Sequence, residues 1–134
     1  MNDYYQRGME CLEAGKMKEA EEAFLIVISE NPEHVMAHNK LGLVYARIEE
    51  FNRAKEFFQK ALELDPMLIH AWNNLGNIAR QEGNLEQARD YYQKALEADP
   101  GNPIPEHNLR VIEKQLKWRP NFLQVFRKNK SDKT

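Results

Sequence analysis

Three features of this chain predict an all-α fold, a solenoid of stacked helix pairs. Prolines stand 34 residues apart, at Pro32, Pro66 and Pro100. The same step relates Gly8, Gly42 and Gly76, and again Phe24, Phe58 and Tyr92. Between these marks the apolar residues recur at helical spacing, twice in each 34-residue unit.

More columns follow the same step. Ala20, Ala54 and Ala88 align, Leu41 pairs with Leu75, Ala61 with Ala95, and Lys60 with Lys94. Three copies therefore run over residues 1–34, 35–68 and 69–102. In the second, Leu41, Gly42 and Tyr45 share one face of a first helix. Ala54, Phe58 and Ala61 recur at i, i+4, i+7 on a second. Asp65-Pro66 and Asp99-Pro100 separate the copies, because proline pushes the residue before it out of helical geometry yet suits the first turn of a new helix. Gly15 and Gly83-Asn84 supply the turn inside copies one and three. Copy two has Glu49-Glu50 there, which predicts a turn made differently. The glycine and alanine columns predict close approach of two helix backbones, with the aromatic column filling the space beside them. No single pair buries its apolar face alone, so stacking makes one continuous core.

Beyond the third copy, Leu109, Ile112 and Leu116 predict an amphipathic helix over 103–117. It begins like a fourth copy but lacks the glycine and the second helix, so it should cap the array. Pro120 is expected to break or kink the chain, with a short final helix over Phe122–Phe126. The organisation is thus a repeat domain, 1–117, followed by a basic C-terminal extension, 118–134.

Composition fits this reading: 42% hydrophobic and 30% charged is the balance of a soluble globular chain. The net charge of −2 hides an uneven distribution. Residues 1–113 carry 12 Lys/Arg against 20 Asp/Glu, a net −8, while residues 114–134 carry 7 against 1, a net +6. No stretch approaches the roughly 18 apolar residues a membrane span needs. The start lacks the basic-then-apolar order of a signal peptide, so a cytoplasmic location is expected. The single cysteine, Cys11, excludes an internal disulfide and a cysteine-rich metal site, and is expected as an inert core thiol.

The run Trp72-Asn73-Asn74-Leu75-Gly76, followed by Ala88, Tyr92, Ala95 and Pro100, resembles the tetratricopeptide-repeat (TPR) pattern. Copy three departs from it at Ala79, where an aromatic is usual. Copy two has His38 in the Trp place. Copy one departs most, at Tyr4, Arg7, Cys11 and Val27. The resemblance implies a right-handed α-solenoid of three helix-turn-helix pairs. It also implies a scaffold or adaptor that binds a protein or peptide in a concave groove and catalyses nothing. The groove would be lined by positions two, five, six, nine, twelve and thirteen of each copy. From these the candidate binding residues are Asn39, Lys40, Leu43, Arg47, His70, Asn73, Asn74, Asn77, Arg80, His107 and Asn108. Tyr5, Met9, Leu12 and Glu13 come from copy one, with Asn2 at its edge and Lys114 on the capping helix.

Two features of this face point to a ligand class. Asn39, Asn73, Asn74, Asn77 and Asn108 form a band of amides that can hold the backbone of an extended peptide. Lys40, Arg47, Arg80 and Lys114 outnumber Glu13, which favours an acidic peptide or a free C-terminal carboxylate. The chaperone-tail clamp of some TPR proteins is not expected, since its positions hold Tyr5, Met9, Lys40, His70 and Asn74.

Other readings compete. Residues 117–130 mix cations with aromatics and could meet nucleic acid or an anionic membrane. The favoured reading packs Trp118, Phe122 and Phe126 against the capping helix. A self-associating module, with the tail or the first repeat docked on a second copy, is a further alternative. His34 and His38 have a zinc-compatible i, i+4 spacing, but His38 takes a core-facing place, so both are read as structural. No metal, cofactor or catalytic motif is expected.

Overall fold

A computed structural model describes residues 3–131, with side chains as far as Trp118. Among these residues the chain forms seven helices and no strand. They are α1 (Tyr4–Glu13), α2 (Met17–Glu30), α3 (Val35–Arg47), α4 (Phe51–Leu64), α5 (Ile69–Gln81), α6 (Leu85–Ala98) and α7 (Pro103–Ser131). Consecutive helices pair as α1–α2, α3–α4 and α5–α6, and each second helix also packs on the next first helix. The first helices touch one another, α1 on α3 and α3 on α5, whereas α2, α4 and α6 make no comparable contact among themselves. A row of helices in contact on one side and splayed on the other must curve. The α1–α3–α5 side is the inside of the curve.

Proline and its partners mark the copy boundaries. Asn31, Asp65 and Asp99 each end a helix in extended geometry, with φ of −140°, −142° and −143°. That is the region left to a residue before proline. The Asn31 and Asp65 side chains then accept from the Glu33 and Met67 N–H groups. Asp3 caps α1 by accepting from the Gln6 N–H at 3.0 Å, and Asn102 accepts from the Ile104 N–H at 3.1 Å as α7 begins.

The turn within copy two differs from expectation. Glu49 adopts φ 63°, close to the 78° and 84° of Gly15 and Gly83. The hydrogen bonds are the same in all three copies: Gly15 to Leu12, Glu49 to Ala46 and Gly83 to Arg80, each followed by a bond from the next N–H to Cys11, Tyr45 or Ala79. This is the left-handed helix ending that usually employs glycine. The packing of α3 on α4 imposes the geometry, and Glu49 bears its strain.

The glycine column works differently from the simple expectation of backbone approach. A Cβ added at Gly8, Gly42 or Gly76 would lie 2.6, 2.6 or 2.5 Å from a ring carbon of Phe24, Phe58 or Tyr92. Glycine therefore makes room for the aromatic ring of the second helix. All three rings are fully buried, as are Ala20, Ala54 and Ala88.

The capping segment follows its predicted pattern, with Ile112 fully buried and Leu109 and Leu116 packed beside Ala79, Ala88 and Tyr92. Its end does not. The helix runs through Pro120 to Ser131 without a break. An interior proline removes one backbone bond, yet propagation adds one for each residue beyond it. The capping helix and the basic extension are thus one element. Its 29 residues span about 43 Å against about 21 Å for the 14-residue α6. Half of α7 at most can lie along α6. Trp118 is 74% exposed; the side chains of Phe122 and Phe126 lie outside those described.

Two substitutions test this account. Glu49→Gly removes left-handed strain of about 1–2 kcal/mol and adds backbone entropy to the unfolded chain. The net expectation is a gain of about 0.5–1 kcal/mol, read as a higher urea midpoint. Gly76→Leu drives a side chain into the Tyr92 ring and should lower that midpoint, at a cost of about 1–3 kcal/mol. An unchanged midpoint for Gly76→Leu would mean that the ring does not sit on the glycine.

Candidate functional site

The inner face brings most of the candidate residues onto neighbouring helices, but not with equal access. His70, His107 and Arg47 are exposed, while Lys40, Leu43, Asn74 and Arg80 are half-buried. Asn39, expected in the groove, is 2% exposed, and Leu12 is 4% exposed. Asn39 belongs to the middle inner helix, with α1 on one side and α5 on the other, and this closes it off from solvent. Its Oδ1 finds no hydrogen-bond partner. Asn2 lies outside the described residues. Arg47 Nη1 donates to the Leu12 carbonyl at 3.3 Å, so this cation also holds the C-terminal end of α1.

The amide band is partly an internal network. Asn108 Nδ2 donates to Asn73 Oδ1 at 3.0 Å, joining α7 to α5 across the inner face. Tyr92 donates its hydroxyl to Asn77 Oδ1 at 2.5 Å, joining α6 to α5. This second bond escaped the sequence reading, although a signal was present. Tyr92 is the one hydroxyl-bearing member of the Phe24/Phe58/Tyr92 column. Asn77 is the one amide in the Met9/Leu43/Asn77 column. A buried phenol needs a partner, and the same copy supplies it. Asn73 and Asn77 both act as acceptors in these bonds, through Oδ1. The five asparagines are thus explained in good part by helix-to-helix bonding.

Both histidines of the first boundary have structural roles. His34 Nδ1 accepts from the Ala37 N–H at 3.1 Å and caps α3. His38 Nε2 lies 2.8 Å from the Pro32 carbonyl, and Trp72 Nε1 donates to the Pro66 carbonyl at 2.9 Å. These are one bond repeated 34 residues on, with imidazole standing in for indole. The substitution leaves His38 Nδ1 buried without a partner, a nitrogen that indole does not possess. Among the described residues no three His, Cys, Asp or Glu side chains converge on a metal site. Cys11 is half-buried at the edge of the core rather than sealed within it. Among the described residues no helix is long and apolar enough to cross a membrane.

Comparison with known proteins agrees with this architecture. The tetratricopeptide-repeat profile matches residues 35–68 and 69–102, and a second profile of the same description matches residues 4–34. The chain belongs to the tetratricopeptide-repeat family. The first TPR domain of Spaghetti (RPAP3), bound to the HSP90 peptide SRMEEVD, superposes with a TM-score of 0.79 at 23% identity, covering 85% of this chain and 90% of that one. The second TPR domain of human RPAP3, in complex with the HSP70 peptide SGPTIEEVD, gives 0.75 at 22% identity, covering 82% and 92%. MamA gives 0.68 at 30% identity, covering 72% of this chain and 56% of that one. None of the curated proteins compared with the chain matches it.

Burial pushes the Tyr92 hydroxyl above its ordinary 10.0, against an opposing pull from Arg80. Burial does the same at Tyr5 and, with Glu21 beside it, at Tyr45. The unfolded chain therefore loses these protons first. The stability tied to the neutral phenols is fully present below pH 10.0 and is lost as pH rises through the folded-state values. Tyr92→Phe should cost about 1 kcal/mol at neutral pH by orphaning Asn77 Oδ1. It should also make the alkaline decline shallower. Urea midpoints taken from neutral to strongly alkaline pH check both effects, and parallel curves for the two proteins would contradict the assignment.

Proposed function

We propose that this chain is a protein-interaction module that holds an extended acidic segment of a partner along its inner face. The reading is supported by the cations that the repeat pattern assigns to that face. Lys40 and Arg80 are half-buried on α3 and α5, Arg47 is exposed at the end of α3, and Lys114 is exposed on α7. Half-buried cations beside apolar Leu43 attract carboxylates more strongly than fully solvated ones, because less water screens them. The leftover amide donors of Asn73 and Asn77 suit the carbonyls of an extended backbone. The two RPAP3 domains hold peptides that end in EEVD, which supports acidic segments as the ligand class. The clamp positions here hold Tyr5, Met9, Lys40, His70 and Asn74. Apart from Lys40, the cations offered to a ligand's carboxylates stand at other places, and chaperone tails are not the proposed partner.

The test leaves the amide network intact, since replacing Asn73 or Asn77 would disturb helix packing as well as binding. An array of acidic peptides, some with a free C-terminal carboxylate and some amidated, is titrated by fluorescence anisotropy against the wild type. The same titration is repeated with Lys40→Ala/Arg80→Ala. The best wild-type ligand should bind the double variant about 10- to 100-fold more weakly, which corresponds to about 1.4–2.8 kcal/mol. Its affinity should also fall with salt. Equal affinity for both proteins, with circular dichroism showing both folded, moves the site off the inner face.

A further inference from the structure

The outer helix of the first repeat departs from its two sisters in a way that packing does not require. Leu25 and Ile26 stand in α2 where α4 has Gln59-Lys60 and α6 has Gln93-Lys94. Both are exposed, at 40% and 37%. Equivalent positions in the same fold are thus met twice by an amide and an ammonium, and once by two branched hydrocarbons. Exposed Glu19, Glu22 and Glu30 share α2 with them. Residues 1–34 carry 8 acidic side chains against 3 basic ones, a net −5.

The far end of the array is complementary. A cleft of about 640 Å³ between α6 and α7 is lined by Arg89, Gln93, Glu113, Leu116 and Lys117. Leu116 is half-buried and provides apolar surface, and Arg89 and Lys117 outnumber Glu113, leaving the lining positive. Residues 114–134 carry a net +6. Among the described residues α7 has no second helix paired with it, although it holds the place of the first helix of a fourth pair.

We infer that copies of this chain associate head to tail, the outer face of α2 in one copy seating on the α6–α7 cleft of the next. Leu25 and Ile26 meet Leu116, and the α2 glutamates face Arg89 and Lys117 across the rim. The occupant is a second copy because each surface is both apolar and charged, with opposite signs, and the two lie at opposite ends of one molecule. Apolar contact supplies attraction that salt does not screen, while the charges select the polarity. The two surfaces differ, so the contact is heterologous and every added copy leaves one head and one tail unused. Assembly therefore grows beyond a dimer, and it leaves the inner face open.

Sedimentation over a range of concentrations and salt tests this. The wild-type average mass should climb past that of a dimer, less steeply in high salt. Leu25→Gln/Ile26→Lys installs the residues that α4 and α6 already use, so the fold is retained and only the head is lost. Arg89→Glu/Lys117→Glu reverses the charge of the tail surface. Each variant alone should be monomeric, with self-affinity reduced at least tenfold, and an equimolar mixture should pair one to one and stop there. Circular dichroism confirms helicity, with Leu25→Gln alone as the substitute if the double variant loses it. A wild type that is monomeric throughout, a head variant that assembles like the wild type, or a mixture that does not pair overturns the inference.

Discussion

The contact on which this structure depends is an aromatic ring lying against a glycine. In each pair, Phe24, Phe58 or Tyr92 on the second helix occupies the volume that a Cβ at Gly8, Gly42 or Gly76 would need. Repeating that contact sets the same helix separation three times, with a buried alanine beside each ring. Identical pairs stack with a constant step. Because the first helices touch while the second helices splay, the constant step becomes a constant curvature. The inner face, with its cations and amides, is a consequence of that curvature.

Polar groups on this scaffold are drawn into packing wherever two helices approach. Asn73 ties α5 to α7 through Asn108, Asn77 ties α5 to α6 through Tyr92, and Arg47 holds the end of α1. These residues can still reach a ligand with the atoms they have left, but their first duty is to the fold. Other side chains of the candidate set have fewer internal obligations. Lys40, Asn74 and Arg80 on α3 and α5 are the main ones, with His70 and His107 at the margins.

The two ends of the array are chemically unlike. The first outer helix exposes Leu25 and Ile26 within an acidic repeat, and the last helix carries the positive charge past the end of the stack. A repeat array is polar by construction, since every copy faces the same way. An uneven charge distribution makes that polarity visible to a neighbour at distances set by the Debye length.

Three repeats, their helix pairs and the buried columns followed from the sequence alone, because a 34-residue period forces equivalent residues into equivalent environments. Deviations between copies also carried signals, though not all of them were paired in the reading of the sequence. Tyr92 with Asn77 is an example, as is His38 in the place of Trp72. The tertiary structure decided what periodicity cannot express. It buried Asn39 between neighbouring helices, although its column marked it as groove-facing. It kept a left-handed turn at Glu49, where glycine was absent, because the packing of α3 on α4 demands the same path as in the sister copies. It also carried α7 through Pro120. In each case a local preference worth about 1–3 kcal/mol was set against many contacts or bonds made together, and the collective sum prevailed.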